Sequence, residues 1–436
     1  MDPTLFVLMK MDSDMTRRRF VNNAAKSFLG VSALSAMPPG VLGAGAGASS
    51  LKQEATAKRV IYLYMNGGMS HLDTFDPKKN VDVMGQSKQI KTSVDDVFFA
   101  NHIPKLAKQA DKLAVIRSMS STQGAHRQGE YFMRTSYTLR SSIIHPAMGA
   151  WMTRLKGDTD SDIPPNILIG TDSRHPGAGF MESRLSPLAI RDPEGGLTDV
   201  KMRPGISGER FQFHRELAAK LDAPFVERYD QKNVRAYTDM YEDAIKLMKS
   251  EDLAAFDLSL EKENLRERYG KNAFGQGCLL ARRLLENGVR YAEVTFGGWD
   301  THNANFVRVP DQAKTLDAAV STLLSDLESK GMLEDTLVVL ATEFGRTPEI
   351  NVNEGRDHHP ASFSCVIAGG GIKGGQVLGE TDETASKAIT DTVKVPDLNA
   401  TIGYALGLPL DEVVFSPSMR PFTLADKGQP LVDLFG

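Results

Sequence analysis

Short, nearly continuous apolar runs alternate along the chain with stretches whose apolar residues recur every three or four positions. The runs are KRVIYLYM (58–65), KLAVIRSM (112–119), NILIG (166–170), VRYAEVTFG (289–297), DTLVVLATE (335–343) and SFSCVIAGG (362–370). Their β-branched, two-sided apolar character predicts strands buried on both faces. Between them, QAKTLDAAVSTLLSDLESKGM has helical spacing and a glycine stop, and a last helix opens near Pro396 or Asp397. The alternation predicts an α/β fold, a doubly wound, mainly parallel sheet sandwiched by helices. Residues 171–270 break the pattern: Gly, Pro and Arg dominate to about 210, and a polar helical stretch follows. No repeated strands appear there, and we read them as a helical or irregular insertion, or cap, on the same domain. AGGGIKGGQVLGE lacks the residue order of a phosphate loop and predicts tight turns around a hairpin.

The first fifty residues follow neither pattern. MTRRRFVNNAAKSFLGVSALSAMPPGVLGAGAGASS sets a basic patch before a short apolar stretch and a small-residue segment, the layout of an export signal. Its Thr16-Arg17-Arg18-Arg19-Phe20-Val21 run matches the twin-arginine type. Residues 1–50 are therefore expected to be a signal and linker read by the twin-arginine export machinery, and 58–436 the exported domain, periplasmic or extracellular. No later stretch is apolar for the 18 or more residues of a membrane span. A net charge of −4 argues against a general nucleic-acid binder. Two cysteines, Cys278 and Cys365, make no disulfide framework and read as buried hydrophobes.

Candidate chemistry falls where parallel sheets bind ligands, beyond the carboxyl ends of strands. His71, Asp73 and Asp76 follow the first run, and Ser120, Ser121, Thr122 and His126 the second. Asp300 and His302 follow YAEVTFGG; Glu343 and Arg346 follow LVVLAT, and Asp357, His358 and His359 come shortly after. Carboxylate and imidazole without thiolate suit a divalent metal, zinc foremost, with manganese, iron or calcium as alternatives and one or two ions. Each motif also has a purely structural reading. SHLDTFDP alone could be a capping turn, with Ser70 as N-cap or an Asx turn before Pro77.

VIYLYMNGGMSHLDTFDPK, VTFGGWDTHNANF, VVLATEFGRTPEIN and GRDHHPASFSCVIAGGGIKGGQVLGETDE resemble the domain of unknown function 1501 family, over about residues 58–425. That family is similar in turn to the alkaline phosphatase and sulfatase superfamily. The resemblance implies an alkaline phosphatase-like fold and places metal ligands at Asp73 or His71, Asp300, His302, Glu343 and His358 or His359, with Asp357 beside them. It departs at Phe344, where a second imidazole is expected. The resemblance also implies a nucleophile among Ser120, Ser121 and Thr122, with His126 and Arg346 in catalytic roles. Arg127, Arg346 and Arg356 are candidates to hold the anionic group. Neither CLLAR nor CVIAG matches the formylglycine motif of sulfatases. The expectation is an exported, metal-dependent hydrolase of small phosphate or sulfate esters. The alternative is an exported binding or assembly protein that keeps the fold with a degraded site.

Overall fold

The computed structural model describes residues 54–79, 81–157, 159–197, 207–228 and 244–436. The twin-arginine run therefore lies outside the described residues. All six predicted strands form, with ends within two residues of expectation. They are β1 (Arg59–Met65), β2 (Leu113–Ser120), β3 (Asn166–Ile169), β5 (Tyr291–Phe296), β6 (Thr336–Ala341) and β7 (Phe363–Ala368). Three more join the same sheet: β4 (Leu188–Ile190), β8 (Gln376–Leu378) and β9 (Val393–Lys394). The strand order is β8-β2-β7-β6-β1-β5-β3-β4, with β9 also on β2.

β1 pairs parallel with β5 and β6, β5 with β3, β3 with β4, and β2 with β8 and β9. Only β7 runs against its neighbours, β2 and β6. That reversal decides where the site forms, because it brings the start of β7 to the edge where β1, β2, β5 and β6 end.

Period-two alternation sends successive residues of each strand to opposite faces, and both faces are covered. Ile61, Leu63 and Met65 of β1 enter one core with α4 (Ala273–Glu286) and α5 (Asn305–Ser329). Val60, Tyr62 and Tyr64 enter the other, with α1 (His126–Thr135), α2 (Met148–Lys156) and α6 (Val395–Ala405). The doubly wound, mainly parallel sheet is thus as expected. Both cysteines are free and buried, Cys278 within α4 and Cys365 within β7.

The insertion contributes one strand, since β4 pairs with β3; its three residues were too few to show a pattern. It also carries α3 (Gly208–Arg228). One expectation is corrected: the glycine-rich segment after β7 is no hairpin, because β7 and β8 lie on opposite sides of β2 and do not pair. Among the described residues no helix is long and apolar enough to cross a membrane.

Candidate metal centre

β1 ends at Met65, and the chain turns through Gly67 (φ +120°) and Gly68 (φ +74°), a region that favours glycine. A Cβ on Gly67 would stand 2.5 Å from the Asp300 nitrogen, and one on Gly68 2.8 Å from the Phe344 ring. Two glycines in NGG thereby let the first loop lie against those that follow β5 and β6.

Four side chains converge there. His126 opens α1, Asp300 and His302 follow β5, and His358 precedes β7. Ligand-type atoms of His126, Asp300 and His358 lie within 4.8 Å of one another. His126 Nε2 is 3.3 Å from Asp300 Oδ2, while His302 Nε2 and His358 Nε2 stand 3.3 and 3.6 Å from Oδ1. The Nε2 atoms of His302 and His358 are 2.9 Å apart.

Each ring is held by its other nitrogen. His126 Nδ1 donates to Glu343 Oε1 at 2.7 Å, His302 Nδ1 to Asp357 Oδ1 at 2.6 Å, and His358 Nδ1 to the Gly124 carbonyl at 2.9 Å. Carboxylates and a carbonyl only accept, so the neutral rings keep their proton on Nδ1 and turn an Nε2 lone pair inward. His126 Nε2 is buried with no hydrogen-bond partner among the described residues. Three lone pairs and a carboxylate facing one point repel one another unless added protons or a cation stand between them. Imidazole Nε2 and carboxylate, with every Nδ1 anchored from behind, is a donor set that fits zinc.

Glu343 is fully buried and surrounded by donors. Oε1 accepts from the Gly67 amide at 2.9 Å as well as from His126, and Oε2 accepts from Tyr64 Oη at 3.1 Å. Burial alone would lower the His126 pKa; the Glu343 carboxylate, then Asp300, outweighs it and raises it. Burial would raise the Asp300 carboxyl, but its hydrogen bond to Arg346 Nη2, 2.6 Å long, more than offsets this and holds it below the usual range. Arg346 otherwise donates to the carbonyls of Gly67, Gly68 and Arg356, so it braces the site from inside.

Other expected site residues lie elsewhere. Asp73 Oδ2 accepts from Arg356 Nε at 2.9 Å, Ser70 Oγ at 2.6 Å and Asn305 Nδ2 at 3.0 Å, and Oδ1 accepts from Ser87 Oγ at 2.6 Å. None of these partners belongs to the cluster, and Arg356 spends its remaining donors on the carbonyls of Val83, Thr347 and Pro348. Both are buried, so Asp73 is a structural anion rather than a presented ligand, and Arg356 is closed to substrate.

His358 and His359 are neighbours in a two-residue strand, and alternation sends them opposite ways. His359 Nε2 donates to the Ser386 carbonyl, and His71 Nε2 to that of Ala385 at 2.9 Å; both pin one loop. Neither Ser121 nor Thr122 bonds to the cluster. Ser121 Oγ accepts from the Gln123 amide, and the exposed Thr122 hydroxyl from the Gln123 side chain. Neither caps α1, whose N-cap is Ala125. Arg127 is exposed.

The sequence reading missed Glu130. It is buried, and it, His126 and Glu343 have ligand-type atoms within 4.8 Å of one another. The signal was present in HRQGE, since residues four apart share a helix face. Burial, then Glu343, pushes its carboxyl up to about 7. Beyond it Arg134, 4.0 Å above the Tyr64 ring, joins Glu293 at 2.8 Å and Asp172 at 2.7 Å.

Burial drives the His71 pKa down to about 4 from 6.5, although Asp76 pulls it up. Unfolded chain therefore takes up a proton over that window that the native state refuses, so stability falls as pH drops from about 6.5 to about 4. Urea denaturation across this range should show that limb, and His71→Gln should flatten it. An unchanged slope would refute the assignment.

The protein is thus a doubly wound α/β protein with a histidine–carboxylate cluster at the carboxyl edge of its sheet. Its chain belongs to the family described as "Protein of unknown function (DUF1501)", whose model matches residues 57–435. No curated protein sequence matches it. Among solved structures it is similar to a sulfatase from Pseudoalteromonas sp., at 14% identity and TM-score 0.40, covering 86% of this chain and 73% of that one. The lipoteichoic acid synthase LtaP from Listeria monocytogenes matches at 9% identity and TM-score 0.38, covering 85% and 77%. Alkaline phosphatase from the Antarctic bacterium TAB5 matches at 14% identity and TM-score 0.34, covering 76% and 96%. Likenesses this low transfer no residue role or activity to the chain.

Proposed function

We propose that the protein is a metal-dependent hydrolase of phosphate or sulfate esters, exported by the twin-arginine route. The carrying observation is the convergence of three imidazole Nε2 atoms on Asp300, each ring anchored through Nδ1. The fold and the placement of the cluster at the strand ends support the reaction class, and the arginine run at 17–19 supports export.

His126, Asp300, His302 and His358 would hold the ion. A divalent cation bound there supplies Lewis-acid polarisation of an ester oxygen and acidifies a bound water. The chain's own residues do the rest. Glu343, Asp357 and the Gly124 carbonyl keep the ring protons on Nδ1, and Arg346 keeps Asp300 ionised and aimed inward. Ser121 and Thr122 remain candidates for attack only if their loop moves, since their hydroxyls bond to Gln123. A second reading, an exported binding or assembly protein with a reduced site, draws support from Phe344. Its ring lies 5.0 Å from that of His126 and 4.5 Å from that of His358, where a further imidazole would complete a two-ion site.

Zinc-loaded protein assayed with aryl phosphate and aryl sulfate esters tests the choice. Turnover that chelator abolishes and zinc restores is expected; metal-loaded protein inert on both ester classes refutes the hydrolase reading. Glu343→Gln should weaken metal affinity about 10–100-fold by disturbing the His126 anchor. It should also cost about 1–3 kcal/mol, because an amide N–H₂ would face donors. Metal titration and urea denaturation read the two effects separately.

A further inference from the structure

We propose that Arg174, carried on the loop after β3, is the residue that binds the anionic group of the substrate beside the metal centre. The inference rests on the hydrolase reading and assigns its phosphate- or sulfate-recognising side chain, a role expected of Arg127, Arg346 or Arg356.

An anionic substrate requires a cationic side chain that is both at the site and uncommitted. Arg346 and Arg356 fail the second condition, because every nitrogen of each donates to a carbonyl or a carboxylate of the fold. Arg134 is buried among Glu293, Asp172 and the Tyr64 ring. Arg174 has one nitrogen paired, with Glu130, and its other two open among the described residues. Its Nη2 lies 2.5 Å from Glu130 Oε1, and Glu130 borders His126 and Glu343. Its side chain is 45% exposed, and Nε and Nη1 have no hydrogen-bond partner among the described residues. A guanidinium held at one nitrogen keeps donors in a fixed plane for a tetrahedral oxyanion.

The backbone around Arg174 is locked. Asp172 on one side pairs with the buried Arg134 at 2.7 Å and accepts from the Arg174 amide at 2.9 Å. His175 on the other side meets Glu293 at 3.3 Å and accepts from the Gly177 amide at 3.0 Å. Burying that many charges costs desolvation that apolar residues would avoid, and an exposed loop does not need such anchoring to fold. Anchoring does hold a long flexible side chain over one spot, which lowers the ordering cost of binding. The other oxygen of Glu130, Oε2, is buried with no hydrogen-bond partner among the described residues.

If Arg174 merely neutralised Glu130, its removal would alter stability and leave anion affinity alone. The test uses zinc-loaded full chain, with inorganic phosphate and inorganic sulfate as calorimetric probes and p-nitrophenyl phosphate and sulfate as substrates. Arg174→Gln is expected to weaken binding of the preferred anion at least tenfold and to raise KM in proportion, with zinc stoichiometry and circular dichroism unchanged. Arg174→Lys keeps the charge without the fork and should recover part of the affinity. Anion affinity and KM within twofold of the parent protein would overturn the proposal, as would parent protein that binds neither anion at millimolar concentration. Failure of the hydrolase reading looks different: zinc-loaded protein would bind an anion through Arg174 yet turn over neither ester.

Discussion

His358→Ala is expected to reduce the metal content of protein purified without chelator from about one ion to below about 0.5 per chain, since it removes one of four ligands and the one that lies against the other three. The same variant should abolish ester turnover. His358 is the right residue to remove because it touches every other member of the cluster. Its Nε2 is 2.9 Å from that of His302 and 3.6 Å from Asp300 Oδ1, and its ring lies 4.3 Å from that of His126. Alanine leaves the Gly124 carbonyl without its partner, a loss at a partly exposed position that costs little stability. Metal stoichiometry by mass spectrometry, beside a denaturation curve, separates loss of the site from loss of the fold. The neighbouring His359→Ala supplies the contrast. Its ring faces the loop at Ser386, so metal should stay bound. Equal metal loss in both variants, or none in His358→Ala, would refute the assigned centre.

Asp73→Asn should do the opposite, keeping the metal and weakening the fold. Burial alone would raise the Asp73 carboxyl, but Arg356 and the hydroxyls of Ser70 and Ser87 overcome it and hold it below the usual carboxylate range. The amide removes the only carboxylate that, among the described residues, pairs with the fully buried Arg356. Breaking one side of a buried ion pair typically costs about 3–5 kcal/mol. A lower urea midpoint with unchanged zinc content is therefore expected. Metal loss at unchanged stability would restore Asp73 as a ligand.

These two variants also divide what could be read along the chain from what could not. Strand positions were legible because two-sided burial writes itself as local β-branched runs, and β1, β5 and β6 each appear as such. Histidines and carboxylates after those runs were legible as a group, because the carboxyl edge of a parallel sheet is where its loops gather. Their individual duties were not. His358 and His359 carry the same residue type one step apart, and only strand direction separates a cluster member from a loop anchor. Asp73 and Asp300 are both loop aspartates after a strand. Asp73 meets an arginine distant in sequence and is consumed, whereas Asp300 meets Arg346 on one side and three imidazoles on the other.

Glu130 and Arg174 show the same limit from the other side. Glu130 lay in plain view four residues after His126, yet its carboxylate reads as solvated until α1 is packed on the sheet. Arg174 sits in a segment without periodicity, and its significance depends on which other arginines the fold has already used.

Burial and periodicity are local properties of a chain, so the α/β class, the six principal strands and the sheet edge where the loops gather could be read along it. Packing of distant segments sets β7 antiparallel to its neighbours and so delivers His358 to that edge. The same packing pairs Asp73 with Arg356 in the interior and turns His126, Asp300, His302 and His358 toward one point. Those outcomes depend on contacts between residues up to hundreds of positions apart, and no local pattern records which buried charge will find which partner.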